Sequence, residues 1–353
     1  MNILNKFCKK AINGVILSSI MLACTETKQE MEETIFFKEY QTPHKTIPFD
    51  KIHLEDYLPS VKEAIKRHDA EIEAIVNNPN SANFENTIVA LERSGKYLSR
   101  IQYAFYNLLS AETSAEMDSI ANEISPLETE HSNNITLNEN LFKRIAEVYA
   151  QRDSLNLTKE EQQLLQKQYD MFVNNGANLS AENKEIYREL CKKISLLELQ
   201  FAQNVLNATN QYKLVVLDES RLEGLPQTLK DVAAEKAKAK GESGWLFDLT
   251  YPSYVPFMKY IKDRDLRKEL YMAYNTKAVN GELDNKAVIK ELVNTRLKLA
   301  NLLGHKEYAS YVLSRRMAED KEHVYDLLDK LLNAYKNCAS NEVLEVQKTA
   351  NSQ

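Results

Sequence analysis

The sequence predicts an all-α fold, a multi-helix lobe with one or two short strands, and three observations carry that expectation. Helix breakers are scarce: 353 residues hold Gly 8 and Pro 8, with no proline between Pro126 and Pro226 and none after Pro256. Leu, Ile and Phe recur at three- and four-residue spacing, the period of one helical face. Capping residues such as Asn83, Thr158 and Ser180 stand where those stripes begin. A chain with 43% hydrophobic and 27% charged residues can bury a sizeable core in one or two domains. A net charge of −6 offers no Lys/Arg cluster for nucleic-acid phosphates, so no nucleic-acid partner is expected.

Residues 1–23 read as an export signal: Lys6, Lys9 and Lys10 precede an apolar run from Ala11 to Ala23. That run is shorter than the roughly 20 apolar residues a membrane-spanning helix needs. The tetrapeptide MLAC at residues 21–24 resembles a bacterial lipobox, which makes Cys24 the expected lipidation site. Residues 24–45 then form a polar tether, and the expected location is the bacterial cell envelope, lipid-anchored or periplasmic. Helices follow from Asp50 onward, forming an N-terminal helical region over residues 46–240. One helix starts near Asn83 and carries Phe84, Ile88, Leu91, Leu98, Ile101, Phe105 and Leu108. Gly95 lies on its seam, where a glycine costs about 1 kcal/mol relative to alanine; close approach of a neighbouring helix accounts for it. Further helices are expected at residues 117–130 and 140–151. The capping box Thr158–Glu161 opens another that ends near Gly176. Ser180 caps a long helix with Ile186, Leu190, Ile194, Leu197, Phe201 and Val205 in its stripe.

Lys213–Leu217 reads as a strand, able to pair with Trp245–Thr250 across a helix at residues 227–240. Pro252 and Pro256 bracket an expected irregular bend. Asp263 or Asp265 caps a helix with Leu266, Leu270 and Tyr274. A second helix carries Ile289, Leu292, Leu299 and Leu303 and stops at Gly304. Arg296 breaks that apolar stripe. The last helix starts near Lys321 with Val324, Leu327, Leu328, Leu331 and Tyr335 inward. It has no stop signal, so the chain reads as truncated.

Two strings carry a family resemblance: FENTIVALERSG at residues 84–95, and the stretch from Trp245 to Tyr311 that opens WLFDLTYPSYVPFMKYIKDRDLRKELYMAY. They resemble the thimet oligopeptidase and peptidyl-dipeptidase family of zinc metallopeptidases, the first string being closer to the peptidyl-dipeptidase branch. The resemblance implies a neurolysin-like helical fold around a deep channel, zinc as cofactor, and short peptides as partners. It makes residues 241–353 the start of the catalytic domain, truncated before the zinc-binding helix. The implied activity is release of dipeptides from peptide C-termini.

The metal-binding signature of that family, His-Glu-x-x-His, does not occur in this sequence. Such a site needs two imidazoles one helical turn apart plus a carboxylate. The six histidines are His44, His53, His68, His131, His305 and His323, and no two are four residues apart. Each reads as a surface or helix-end residue, so no catalytic or metal-ligating residue is assigned and no zinc is expected for this chain alone. Cys191 and Cys338 read as small buried side chains or as a bridge. No Gly-x-Ser-x-Gly elbow, phosphate loop or dinucleotide fingerprint occurs. Arg296 remains as the polar candidate: an anchor for a carboxylate on another helix, or a substrate-wall residue that holds a peptide carboxylate. Two functions fit: the N-terminal portion of a zinc peptidyl-dipeptidase, inactive by itself, or a non-catalytic lipid-anchored helical module that binds peptides or a partner.

Overall fold

The computed structural model describes residues 34–352, so Cys24 and the export signal lie outside the described residues. Helix α1, Leu54–Val76, starts where the backbone N–H of His53 donates to Asp56 Oδ2 at 2.8 Å. A π-helical turn, Phe84–Val89, is closed by reciprocal bonds between Asn83 and Asn86 and runs into α2, Ala90–Arg93. Here the structure departs from the single long helix expected. Gly95 is not a helix-interior residue: it adopts φ +70 and starts a separate helix, α3, Lys96–Ala111. Ser94 Oγ caps Leu91 O at 2.7 Å and Glu71 takes the Gly95 N–H at 2.8 Å, which satisfies the groups the break exposes. The expected close approach is present, made by the His68 ring.

Four capped helices follow. They are α4 (Ala115–Thr136, cap Ser114), α5 (Glu139–Ala150, cap Asn138), α6 (Lys159–Asn174, cap Thr158) and α7 (Ala181–Gln211, cap Ser180). Two apolar clusters share α1. Its first half packs Tyr57, Val61 and Ala64 against Phe36, α3 and α4, with Phe105 and Ile124 fully enclosed. Its second half packs Ile72 and Ile75 against Ile88, α5 and α6.

Strands β1 (Leu214–Val216) and β2 (Trp245–Phe247) pair antiparallel, Leu214 opposite Phe247 and Val216 opposite Trp245. Between them in the chain lies the expected helix, α8, Gln227–Ala239, which packs on β2. The expected bend at Pro252 and Pro256 is instead helix α9, Tyr251–Tyr260. Pro252 sits in the first turn, where an N–H would have no partner in any case, and its fixed φ suits a helix start. Asp263 caps α10, Arg264–Asn275, by accepting from the amides of Asp265 and Leu266. Helix α11, Lys286–Leu302, ends at Gly304 (φ +87), whose geometry lets His305 N reach Ala300 O at 2.8 Å. Short α12, Tyr308–Leu313, leads to α13, Lys321–Ser352.

Three apolar stripes are buried less than expected. On α11, Leu292 and Leu299 pack against α7, while Ile289 is exposed because α7 covers only one flank. On α7, Tyr187 and Ile194 are buried, whereas Ile186 and Phe201 are exposed beside the contacts with α4 and α11. On α13 no residue is buried, and Leu327, Leu328, Leu331 and Tyr335 face solvent. Cys338 lies on this helix and is likewise exposed, and both it and Cys191 are free thiols. Among the described residues, no helix is long and apolar enough to cross a membrane.

Candidate functional site

Arg296 lies at the joint between α7 and α11. Its Nη2 donates to Glu198 Oε1 on α7 at 2.6 Å, and its guanidinium lies 5.2 Å from the ring centre of Tyr308. Nε is buried without a hydrogen-bond partner. The side chains of Arg296 and Glu198 are 33% and 47% exposed, so solvent screens the pair. Chemically, Arg296 can hold a peptide carboxylate only by sharing its guanidinium with Glu198. The same two helices are tied by the Lys193–Glu291 ion pair. At the start of α11, buried Asn285 donates to Phe201 O at 3.1 Å and accepts from Asn204 at 2.9 Å. Below the joint, burial pushes the Cys191 thiol up, which keeps it protonated and unreactive.

The histidines divide into two groups. His44, His53 and His323 are exposed, and His305 follows Gly304, as expected. His68 and His131 correct the reading of all six as surface or end residues. His131 is only 4% exposed in the C-terminal part of α4, and its Nε2 lies 2.9 Å from His68 Nδ1 on α1. Sequence reasoning missed this pair because the two residues are far apart in the chain and meet only through packing. His131 falls two helical turns after fully buried Ile124, on the side of α4 that packs inward, and that spacing is the signal that could have found it.

These residues do not fit a zinc ion. Among the described residues, no group of three or more His, Cys, Asp or Glu is placed to hold a metal. The His68 and His131 nitrogens that face each other are engaged in their mutual contact, which uses the lone pair a metal would require. Elsewhere, an apolar hollow between α8, β2 and α9 is lined by Leu229, Val232, Phe247, Pro252 and Pro256, with the Lys236–Asp248 ion pair nearby. Between α3 and α4, Tyr106 donates to Glu128 Oε2 at 2.7 Å; burial pushes the Glu128 carboxyl up while that hydrogen bond pulls it down.

Comparison with known families gives a match of residues 257–353, from the end of α9 through α13, to peptidase family M3. The chain is 33% identical over 316 residues to the dipeptidyl carboxypeptidase of Escherichia coli K12, a match covering 89% of this chain and 46% of that protein. It is 34% identical over 307 residues to the Salmonella typhimurium dipeptidyl carboxypeptidase, covering 86% of this chain and 45% of the relative. Oligopeptidase A of Haemophilus influenzae is 30% identical over 305 residues, covering 85% and 45%. The family recognised in the two sequence strings is therefore the one these comparisons find. The chain spans less than half the length of these relatives.

Proposed function

We propose that this chain supplies the N-terminal part of a zinc peptidyl-dipeptidase that releases dipeptides from the C-termini of short peptides, and that it has no peptidase activity by itself. The observation that carries the reading is the alignment of 89% of the chain with 46% of a dipeptidyl carboxypeptidase, while its own donors form no metal-holding group among the described residues. Zinc, where bound in the whole enzyme, would activate water and polarise the scissile carbonyl. The helices of this chain would form one lobe and a share of the channel wall, admitting unfolded peptides and excluding folded proteins by size. Arg296 is a wall residue in this reading, held in place by Glu198. Cys24 would carry lipid and place the protein at the cell envelope.

The test compares the 353-residue chain with a version extended through the downstream reading frame, on a blocked tetrapeptide. The shorter chain should retain zinc only at an adventitious level, below about a tenth of an equivalent, and leave the peptide intact. The extended chain should remove the C-terminal dipeptide. Chelator-sensitive cleavage by the shorter chain overturns the reading, and a downstream region with no His-Glu-x-x-His favours the non-catalytic binding module. For the anchor, Cys24→Ser should release membrane-bound protein or block its processing; wild type recovered only as soluble protein starting elsewhere removes that part of the proposal.

A further inference from the structure

The contacts of His68 and His131 extend in a line at both ends. The rings stand edge to face with centres 4.8 Å apart. His68 Nε2 lies 2.9 Å from Ser94 Oγ, and Ser94 Oγ lies 2.7 Å from Leu91 O. At the other end, His131 Nδ1 is 3.1 Å from Oδ1 of half-exposed Asp69, in ion-pair range though off the ideal hydrogen-bond line. The break between α2 and α3 sits directly on the pair: a Cβ built on Gly95 would lie 2.6 Å from His68 Cε1.

Counting protons along this line restricts what it can do. A neutral imidazole offers one N–H and one lone pair, an imidazolium two N–H groups, and a hydroxyl one donor proton. With the pair neutral, His131 Nδ1–H faces Asp69 and His68 Nδ1–H donates to His131 Nε2. The Ser94 hydroxyl then donates to His68 Nε2, and Leu91 O loses it. One proton taken from solvent goes to His68 Nε2, which now donates to Ser94 Oγ while the hydroxyl turns to Leu91 O. Every contact from His131 Nε2 to Leu91 O then has one donor and one acceptor, and His131 Nδ1–H still faces Asp69. A second proton must go to His131 Nε2, which sets N–H against N–H across 2.9 Å between two like charges.

We infer that His68 and His131 form a proton-operated clasp between α1 and α4, which accepts one proton with its contacts intact and opens on the second, releasing the turn at Ser94–Gly95. The groups around it are Asp69 and Glu71 on α1, His131 on α4, and the Ser94 hydroxyl and Gly95 amide of the turn. Burial acts most strongly and pushes both imidazoles below the ordinary histidine range. On His68 the neighbouring His131 adds to that effect, and Glu71 and Asp69 oppose it. On His131 it is Asp69 that opposes burial. The native pair therefore holds fewer protons than the unfolded chain. Its stabilisation is complete above the ordinary histidine value of about 6.5 and is lost as pH falls from there toward the lower folded values.

The test is an imidazole NMR titration of the histidine-labelled 353-residue chain, with the imidazoles of the same chain unfolded in urea as references. His68 and His131 should protonate in two resolved steps, both below the references and more than about one pH unit apart. Protection of the Gly95 amide from exchange should disappear with the second step and persist through the first. Ser94→Ala removes the acceptor for the first added proton and should shift the first step further down. His131→Gln should flatten the fall of the urea midpoint below about pH 6.5. Independent single-step titration of the two rings at the reference position overturns the proposal, as does loss of Gly95 protection with the first proton. If His131→Gln does not fold, the wild-type titration decides.

Discussion

Helices α1 and α13 are both long and both carry apolar stripes, yet their surroundings are opposite. Helix α1 buries Tyr57, Val61, Ala64, Ile72 and Ile75 between four other elements, whereas α13 buries nothing along 32 residues. The difference teaches that periodicity reports a face able to be buried, not one that is. On α1 the stripe meets α2, α3, α4 and α5; on α13 the main contact is with short α12. Loss of apolar area should therefore cost stability in the first helix and almost none in the second.

The sharpest contrast comes from side-chain truncation. Phe105 is 1% exposed and packs on Tyr57 with ring centres 5.0 Å apart, so Phe105→Ala should cost about 3–5 kcal/mol in denaturant unfolding. A cost near zero would mean that the α1–α3–α4 cluster is not the core it resembles. Next in size is the break at Gly95. Its left-handed backbone and the His68 ring make alanine unfavourable there, by about 1–2 kcal/mol from the conformation alone. This reverses the neutral or stabilising effect that a helix-interior glycine would show, and an unchanged midpoint for Gly95→Ala would restore the helical reading. The Arg296–Glu198 pair comes third. A double-mutant cycle with Arg296→Ala and Glu198→Ala should give a coupling of only about 0.2–1 kcal/mol, because both groups are partly exposed. A coupling several times larger would place the pair in a drier environment than the structure shows. Smallest is Leu331→Ala on α13, expected within about 0.5 kcal/mol of wild type. A loss of more than 2 kcal/mol there, in the chain alone, would mean that α13 has a partner.

Local chemistry made much of the fold legible. Thr158, Ser180 and Asp263 announce helix starts because their oxygens accept amide protons within three residues, and each does so here. The β1–β2 pairing was readable because alternating apolar residues flank a helix with turn glycines behind it. Gly95 was misplaced because φ is not written in composition: a helix-breaking and a helix-packing glycine look alike until Ser94, Glu71 and His68 are seen around it. The exposed Ile289 and Leu331 show the same limit for burial, which depends on what arrives from elsewhere. At the candidate site, Arg296 stood out as a charge within an apolar stripe. Glu198 could not be singled out from the many other acidic residues, and His131 pairs with a residue from another helix.

The short ribbon of β1 and β2 has a consequence for the order in which the chain assembles. Its three residue pairs join ends separated by all of α8, so the ribbon cannot form before the chain between Val216 and Trp245 has closed on itself. Closure entropy rises only by about 0.6 kcal/mol for each doubling of loop length, but it must be met before the strands gain anything. Helix α8 needs no such closure and lies against β2, so it can form early and bring the strand ends together. A substitution that weakens α8 locally, such as Ala233→Gly, should then slow refolding of this region, while one confined to β1, such as Val215→Ala, should mainly speed its unfolding.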